Sequence, residues 1–125
     1  MIKKEEDMSN TKEPVSIKEW CQAAHGLSRE KGWYDDETGD SFTTKMILVH
    51  SELSEVIEEF RNNKGFNEIY YGANGKPEGI PVEMADVLIR IFDLCEYFGI
   101  DVDSAIKIKH EYNKTRPHRH GGKKI

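Results

Sequence analysis

Little in this chain could staple it, anchor it or weave it into a sheet. Its 125 residues include two cysteines, Cys21 and Cys95, with no CxxC spacing. A disulfide framework is therefore not expected, and a reducing cytoplasm is the simpler setting. No apolar run approaches the roughly 20 residues that cross a bilayer, so no membrane partner is expected. The opening MIKKEEDMSNTKEP has no apolar stretch of the signal-peptide kind, and residues 1–15 read as a disordered polar leader. There is no internal repeat and no strand-period segment of useful length. One metal chemistry is also short of its ligands. A four-helix di-iron site needs Glu-x-x-His on two helices. The residues three places before the five histidines are Gln22, Ile47, Lys107, Thr115 and Pro117.

What the chain has instead is charge. Charged residues make up 33% of it, and the mean hydropathy is −0.71. Its apolar residues are gathered into a few segments, enough for one domain with a modest core. The net charge of −5 hides an asymmetry: from Lys107 onward there are seven Lys or Arg and one Glu, a local +6 against −11 for the first 106 residues. An acidic body with a basic tail could hold a cation and a phosphorylated ligand together, or the tail could simply be solvated.

Helical signals recur. Ser16-Ile17-Lys18-Glu19 is a capping-box sequence, which predicts a helix from Ile17 to Lys31 that stops near Gly32. A loop, GWYDDETGDSF, follows. Thr43 or Thr44 can cap a second helix that runs through Arg61. At 100° per residue Val49, Phe60, Leu53, Met46 and Ile57 form one apolar stripe, with Val56 at its edge. Glu52, Glu59 and Glu55 file along the border of that stripe, and Glu58 points away. A Gly- and Asn-rich loop with room for short structure at Glu68 to Tyr71 leads to Pro81, which suits the start of a third helix ending at Gly99. In this helix Glu83, Asp86, Arg90, Asp93 and Tyr97 share one polar strip about 80° wide, and most of the remaining circumference is apolar. Such a helix is central, buried by its own chain or a partner subunit. The strip then faces water or lines an internal site. Asp101 or Asp103 caps a fourth helix, closed by Pro117 after Lys114, and residues 117–125 form a basic flexible tail.

The acids form a constellation. Glu52 and Glu55 are i, i+3 on one helix, and Glu83 and Asp86 are i, i+3 on the next long one. If the two helices face each other, four carboxylates converge. Hard oxygen ligands at that density suit Mg²⁺ or Mn²⁺. Without a cation, at least one carboxylate must have a raised pKa. In a chain with 23 acidic residues such pairs also arise without any metal.

At these residues the sequence resembles the MazG-like, all-α nucleotide pyrophosphohydrolase superfamily. The family pattern ExxE…ExxD stands here as Glu52-Leu53-Ser54-Glu55 and Glu83-Met84-Ala85-Asp86. HSELSEVIEEFR, KPEGIPVEMADVLIRIFDLCEYFGID and KHEYNKTRPHRHGGKK extend the likeness over roughly residues 16–124, leaving 16–116 as the helical domain. The resemblance implies a bundle of about four helices, completed by association into a homodimer or homotetramer. It implies Mg²⁺-dependent cleavage of a nucleoside triphosphate to the monophosphate and pyrophosphate, in nucleotide-pool clean-up, with no nucleic-acid polymer as partner. By resemblance Glu52, Glu55, Glu83 and Asp86 are the metal ligands, with Glu52 or Glu55 as the alternative group to orient the attacking water. Lys109, Asn113 and Arg116 would contact the substrate's phosphates or sugar. Trp33 would stack on its base or pack on the core. The alternative is a non-catalytic helical module of the same kind that binds metal or nucleotide without turnover.

Overall fold

The computed structural model describes residues 12–36 and 41–125. Most of the expected leader, residues 1–11, lies outside the described residues. Four helices carry the architecture: α1 (Ile17–Glu30), α2 (Ser41–Arg61), α3 (Ile80–Phe98) and α4 (Val102–Lys114). Between α2 and α3 runs a small antiparallel ribbon, β1 (Tyr70–Tyr71) and β2 (Pro77–Glu78), pairing Tyr70 with Glu78 and Tyr71 with Pro77. The basic tail holds one short helical turn, Arg119–Gly122. Among the described residues the fold is thus all-α apart from a ribbon of two two-residue strands, and no described helix is long and apolar enough to cross a membrane.

Local chemistry sets the helix ends. The Ser16 hydroxyl accepts the Glu19 backbone N–H at 3.0 Å, while the Glu19 carboxylate reaches back to the Val15 N–H at 2.7 Å. Two otherwise orphaned donors are satisfied at once. Asp101 caps α4 by accepting the Ser104 N–H at 3.1 Å, and these bonds hold its carboxyl below the usual range. Helix α3 ends at Gly99, left-handed at φ 69°, and the Ile100 N–H closes back on the Cys95 carbonyl at 2.8 Å. Helix α2 starts at Ser41 rather than at Thr43 or Thr44. The residues before it lie outside the described range.

The ribbon feeds α3 through Gly79, whose φ is 125° and whose place before Pro81 makes it the N-cap. A Cβ there would collide with the Glu68 carbonyl. The position therefore needs glycine twice over, for its backbone conformation and for the close approach.

Helix α3 is the axis of the fold, as its apolar circumference implies. It packs on α1 and on α2, whereas α4 meets α1. The best-buried apolar residues are Cys21, Tyr34, Val49, Ile80, Leu94 and Cys95. Both cysteines are free, and burial pushes their thiols up in pKa, Cys95 through desolvation and Cys21 through desolvation plus neighbouring charges. Among the described residues no side chain is completely sealed from solvent. The expected stripe on α2 explains why. Val49 is buried, but Met46, Leu53, Ile57 and Phe60 stay exposed, Ile57 and Phe60 by more than half at 58% and 59%. Met84 and Leu88 on α3 are exposed as well. The helix pattern marks these faces as apolar, but no described element of this chain covers them.

Candidate metal centre and adjoining cleft

Because α2 and α3 pack together, their acids meet. Carboxylate oxygens of Glu52, Glu83 and Asp86 lie within 4.8 Å of one another, and all three residues are half-buried. Glu55, the fourth acid of the pattern, is exposed and stands outside this tight grouping. It is still near enough to act on Glu83. Burial first, then Asp86, Glu55, Glu52 and Glu59, push the Glu83 carboxyl up in pKa. Asp86 is also raised, by burial and Glu52, against the opposing pull of Arg90 and Lys76. Burial is the leading cause for both acids, and their carboxylate neighbours add to it. The donor set, three or four hard oxygens with room between them, fits Mg²⁺ or Mn²⁺.

The chain supplies one cation of its own. The Arg90 Nε donates to Glu52 at 2.7 Å, with the arginine side chain 46% exposed and the glutamate 17%. Because the bond uses Nε, the two terminal nitrogens of the guanidinium are left for other acceptors. Glu59, the remaining acid of the α2 file, is engaged differently. Both of its oxygens accept the Tyr70 hydroxyl, at 2.8 and 2.9 Å, which pushes the tyrosine up to about 12. This bond fastens the ribbon to α2.

The acids close one end of a cleft of about 590 Å³, which Glu52, Asp86, Arg90, Asp93, Trp33 and Tyr34 help to line. Trp33 is 74% exposed, so it stands on the cleft wall instead of packing into the core; Tyr34 is the buried one of the pair, at 8%. At the far end Asp93 gathers three donors: Ser28 Oγ at 2.7 Å, Tyr34 Oη at 2.9 Å and His25 Nδ1 at 2.8 Å. Arg29 Nε approaches His25 Nε2 at 3.0 Å. Arginine can only donate, so Nε2 accepts and the imidazole hydrogen sits on Nδ1, toward Asp93. His25 and Tyr34 meet edge-on with ring centroids 4.8 Å apart.

Residue spacing assigns no role to Asp93, Ser28 or Arg90, although Arg90 and Asp93 belong to the polar strip of α3. Their partners come from α1 and the loop after it, and residue spacing carries no signal for such contacts. His25, in the middle of α1, packs against Tyr34 as well as donating to Asp93.

The residues expected on the substrate divide. Trp33 lines the cleft, whereas Lys109, Asn113 and Arg116 do not. Lys109, on a helix with no buried residue, lies with its ammonium 5.0 Å from the Tyr112 ring, and Arg116, two residues past the end of that helix, lies 5.8 Å from the same ring. No family model matches this chain, and no curated protein or solved structure matches it.

Proposed function

We propose that this chain is a MazG-like, Mg²⁺-dependent nucleoside triphosphate pyrophosphohydrolase that releases the monophosphate and pyrophosphate. The observation that carries the reading is the convergence of Glu52, Glu83 and Asp86 at one end of a cleft that also offers an arginine and an exposed tryptophan. Glu52, Glu83 and Asp86 would hold the cation, with Glu55 at its border. A divalent ion bound there neutralises charge developing on phosphoryl oxygens and makes bound water more acidic.

The chain's own groups have separable tasks. Arg90, held through Nε by Glu52, offers its terminal nitrogens to phosphate oxygens in the paired geometry that guanidinium favours. Glu52 is thereby occupied, so Glu55, exposed and without that ion pair, is the better acceptor for the proton of an attacking water. Trp33 presents an aromatic face on which a base can stack.

A second copy of the chain completes this reading. Met46, Leu53, Ile57, Phe60, Met84 and Leu88 leave apolar surface on α2 and α3 exposed, and patches of this kind mark association surfaces. Association as a homodimer or homotetramer would cover them. It would also let Lys109, Asn113 and Arg116 of one copy serve the cleft of another.

The test is release of pyrophosphate from a panel of NTPs and dNTPs, with Mg²⁺ and with EDTA. Monophosphate and pyrophosphate are expected as the only products, and only with metal. Folded protein that binds Mg²⁺ and nucleotide but releases nothing would establish a binding module instead.

A further inference from the structure

The polar end of the cleft has an unusual hydrogen-bond polarity. Asp93 has two carboxylate oxygens, each able to accept two hydrogen bonds. One is filled by His25 Nδ1 and the Tyr34 hydroxyl. The other takes only the Ser28 hydroxyl, so it keeps one acceptor position. The Asp93 side chain is 18% exposed and lines the cleft beside Ser28. Ser28, Tyr34 and His25 have each committed their hydrogen to Asp93. None of them has a second to offer, while the Ser28 oxygen still has lone pairs. Of the cations on the cleft wall, Lys45 lies with its ammonium 4.3 Å from the centre of the Tyr34 ring, and Arg90, bonded to Glu52 through Nε, keeps its terminal nitrogens for the phosphates. The edge formed by Asp93 and Ser28 therefore accepts hydrogen bonds and donates none.

Its distance from the acids is set by one helix. Asp86 and Asp93 are seven residues apart on α3, about 10.5 Å along the axis and nearly in line around it. That is the reach from the α-phosphate of a nucleotide to the far edge of its base.

We propose that the substrate's base carries an exocyclic amino group at this edge, as cytosine and adenine do, with its two hydrogens shared between Asp93 and Ser28. The inference rests on the nucleotide reading above and narrows its substrate class. A keto oxygen in the same place, as in uracil or hypoxanthine, would face the Asp93 carboxylate, and neither Asp93 nor Ser28 has a hydrogen to give it. A site built around such a half-buried acceptor disfavours the mismatched analogue, because the acceptor is left unpaired.

The experiment is titration calorimetry of the full chain with non-hydrolysable α,β-methylene triphosphates in Mg²⁺, in two matched pairs: cytidine against uridine and adenosine against inosine. The amino member of each pair is expected to bind roughly tenfold or more tightly. Ser28→Ala should shrink that ratio. Asp93→Asn, which swaps an acceptor for a donor, should invert it, and Ser28→Ala decides alone if the asparagine variant does not fold. Equal binding within both pairs, or preference for the keto member, overturns the proposal and leaves Asp93 as a tie between α1, the loop and α3. Hydrolysis of every base at the same rate overturns it too, yet leaves the pyrophosphohydrolase reading standing. Discrimination without turnover upholds it and removes the enzyme. No binding of any of the four overturns both.

Discussion

Helices α3 and α4 follow one another in the chain, separated by a turn of three residues, and share little else. Helix α3 is packed by α1 and α2 and contains the buried Ile80, Leu94 and Cys95. Helix α4 has no buried residue. It is tethered near its start, where Asp103 accepts the Lys18 N–H at 3.0 Å, while Ile108 and Tyr112 further along are 71% and 56% exposed. The acidic half of the candidate site is thus assembled by the chain itself, and the basic half is not brought to it. A single chain collects the repelling groups, whose convergence costs stability, offsets them with Arg90, and leaves the basic residues of α4 and the tail apart. That is an economical arrangement only if something else bridges the halves, and a second copy would do so.

The sharpest way to break this contrast is to disarm the acidic half. Glu83→Gln should lower turnover on the order of 10²- to 10³-fold and abolish stabilisation by Mg²⁺. Without metal it should melt no lower than the parent, because the charge removed is one that burial and four neighbouring acids oppose. Paired turnover and melting measurements with and without Mg²⁺ check both parts. A variant that unfolds without metal would show Glu83 to be a structural residue.

The next effect concerns the bridge. Ile57→Asp, on the uncovered face of α2, should convert an oligomer to monomer in light scattering and lower activity with it. Mixing inactive Glu83→Gln with an inactive Lys109→Ala variant should then restore activity, to about a quarter of the parent's in a randomly exchanged dimer. Recovery places the two halves of a site on different chains. No recovery, from variants shown to exchange subunits, places them on one.

The smallest effect is in the ribbon. The folded chain keeps the Tyr70 proton up to about 12, against an ordinary value of 10.0. Between those values the folded state binds more protons than the unfolded one, so stability falls as pH rises through this window. Alkaline denaturant melts should show the fall in the parent and lose it in Tyr70→Phe. An unchanged slope in the variant would mean that the Glu59 bond does not hold the ribbon in solution.

How much of this could be read beforehand follows from how far apart the interacting residues are in sequence. The ends of α1, α3 and α4 were legible, since Ser16, Gly99 and Asp101 act on backbone groups only a few residues away. Glu52, Glu83 and Asp86 were legible as a group because the i, i+3 spacing fixes each pair on its helix, and two adjacent helices then suffice. The Asp93 network was not, because Ser28, Tyr34 and His25 meet it from 59 to 68 residues away. The stripe on α2 was legible as apolar, whereas its exposure within this chain was not. Periodicity reports which face avoids water, and it is silent about what that face meets.

Carrying the acids and Asp93 on one rigid rod has a consequence for how such a protein can change. Substitution at position 93 can re-tune which base fits while leaving residues 83 and 86 where they are, so selectivity can drift by single steps without disturbing the chemistry. Length cannot drift in the same way. Deleting one residue between Asp86 and Asp93 would swing the distal carboxylate by about 100° and shorten the span by about 1.5 Å. Along α3, point substitutions should be explored freely by descent, and insertions or deletions should be absent from every functional descendant.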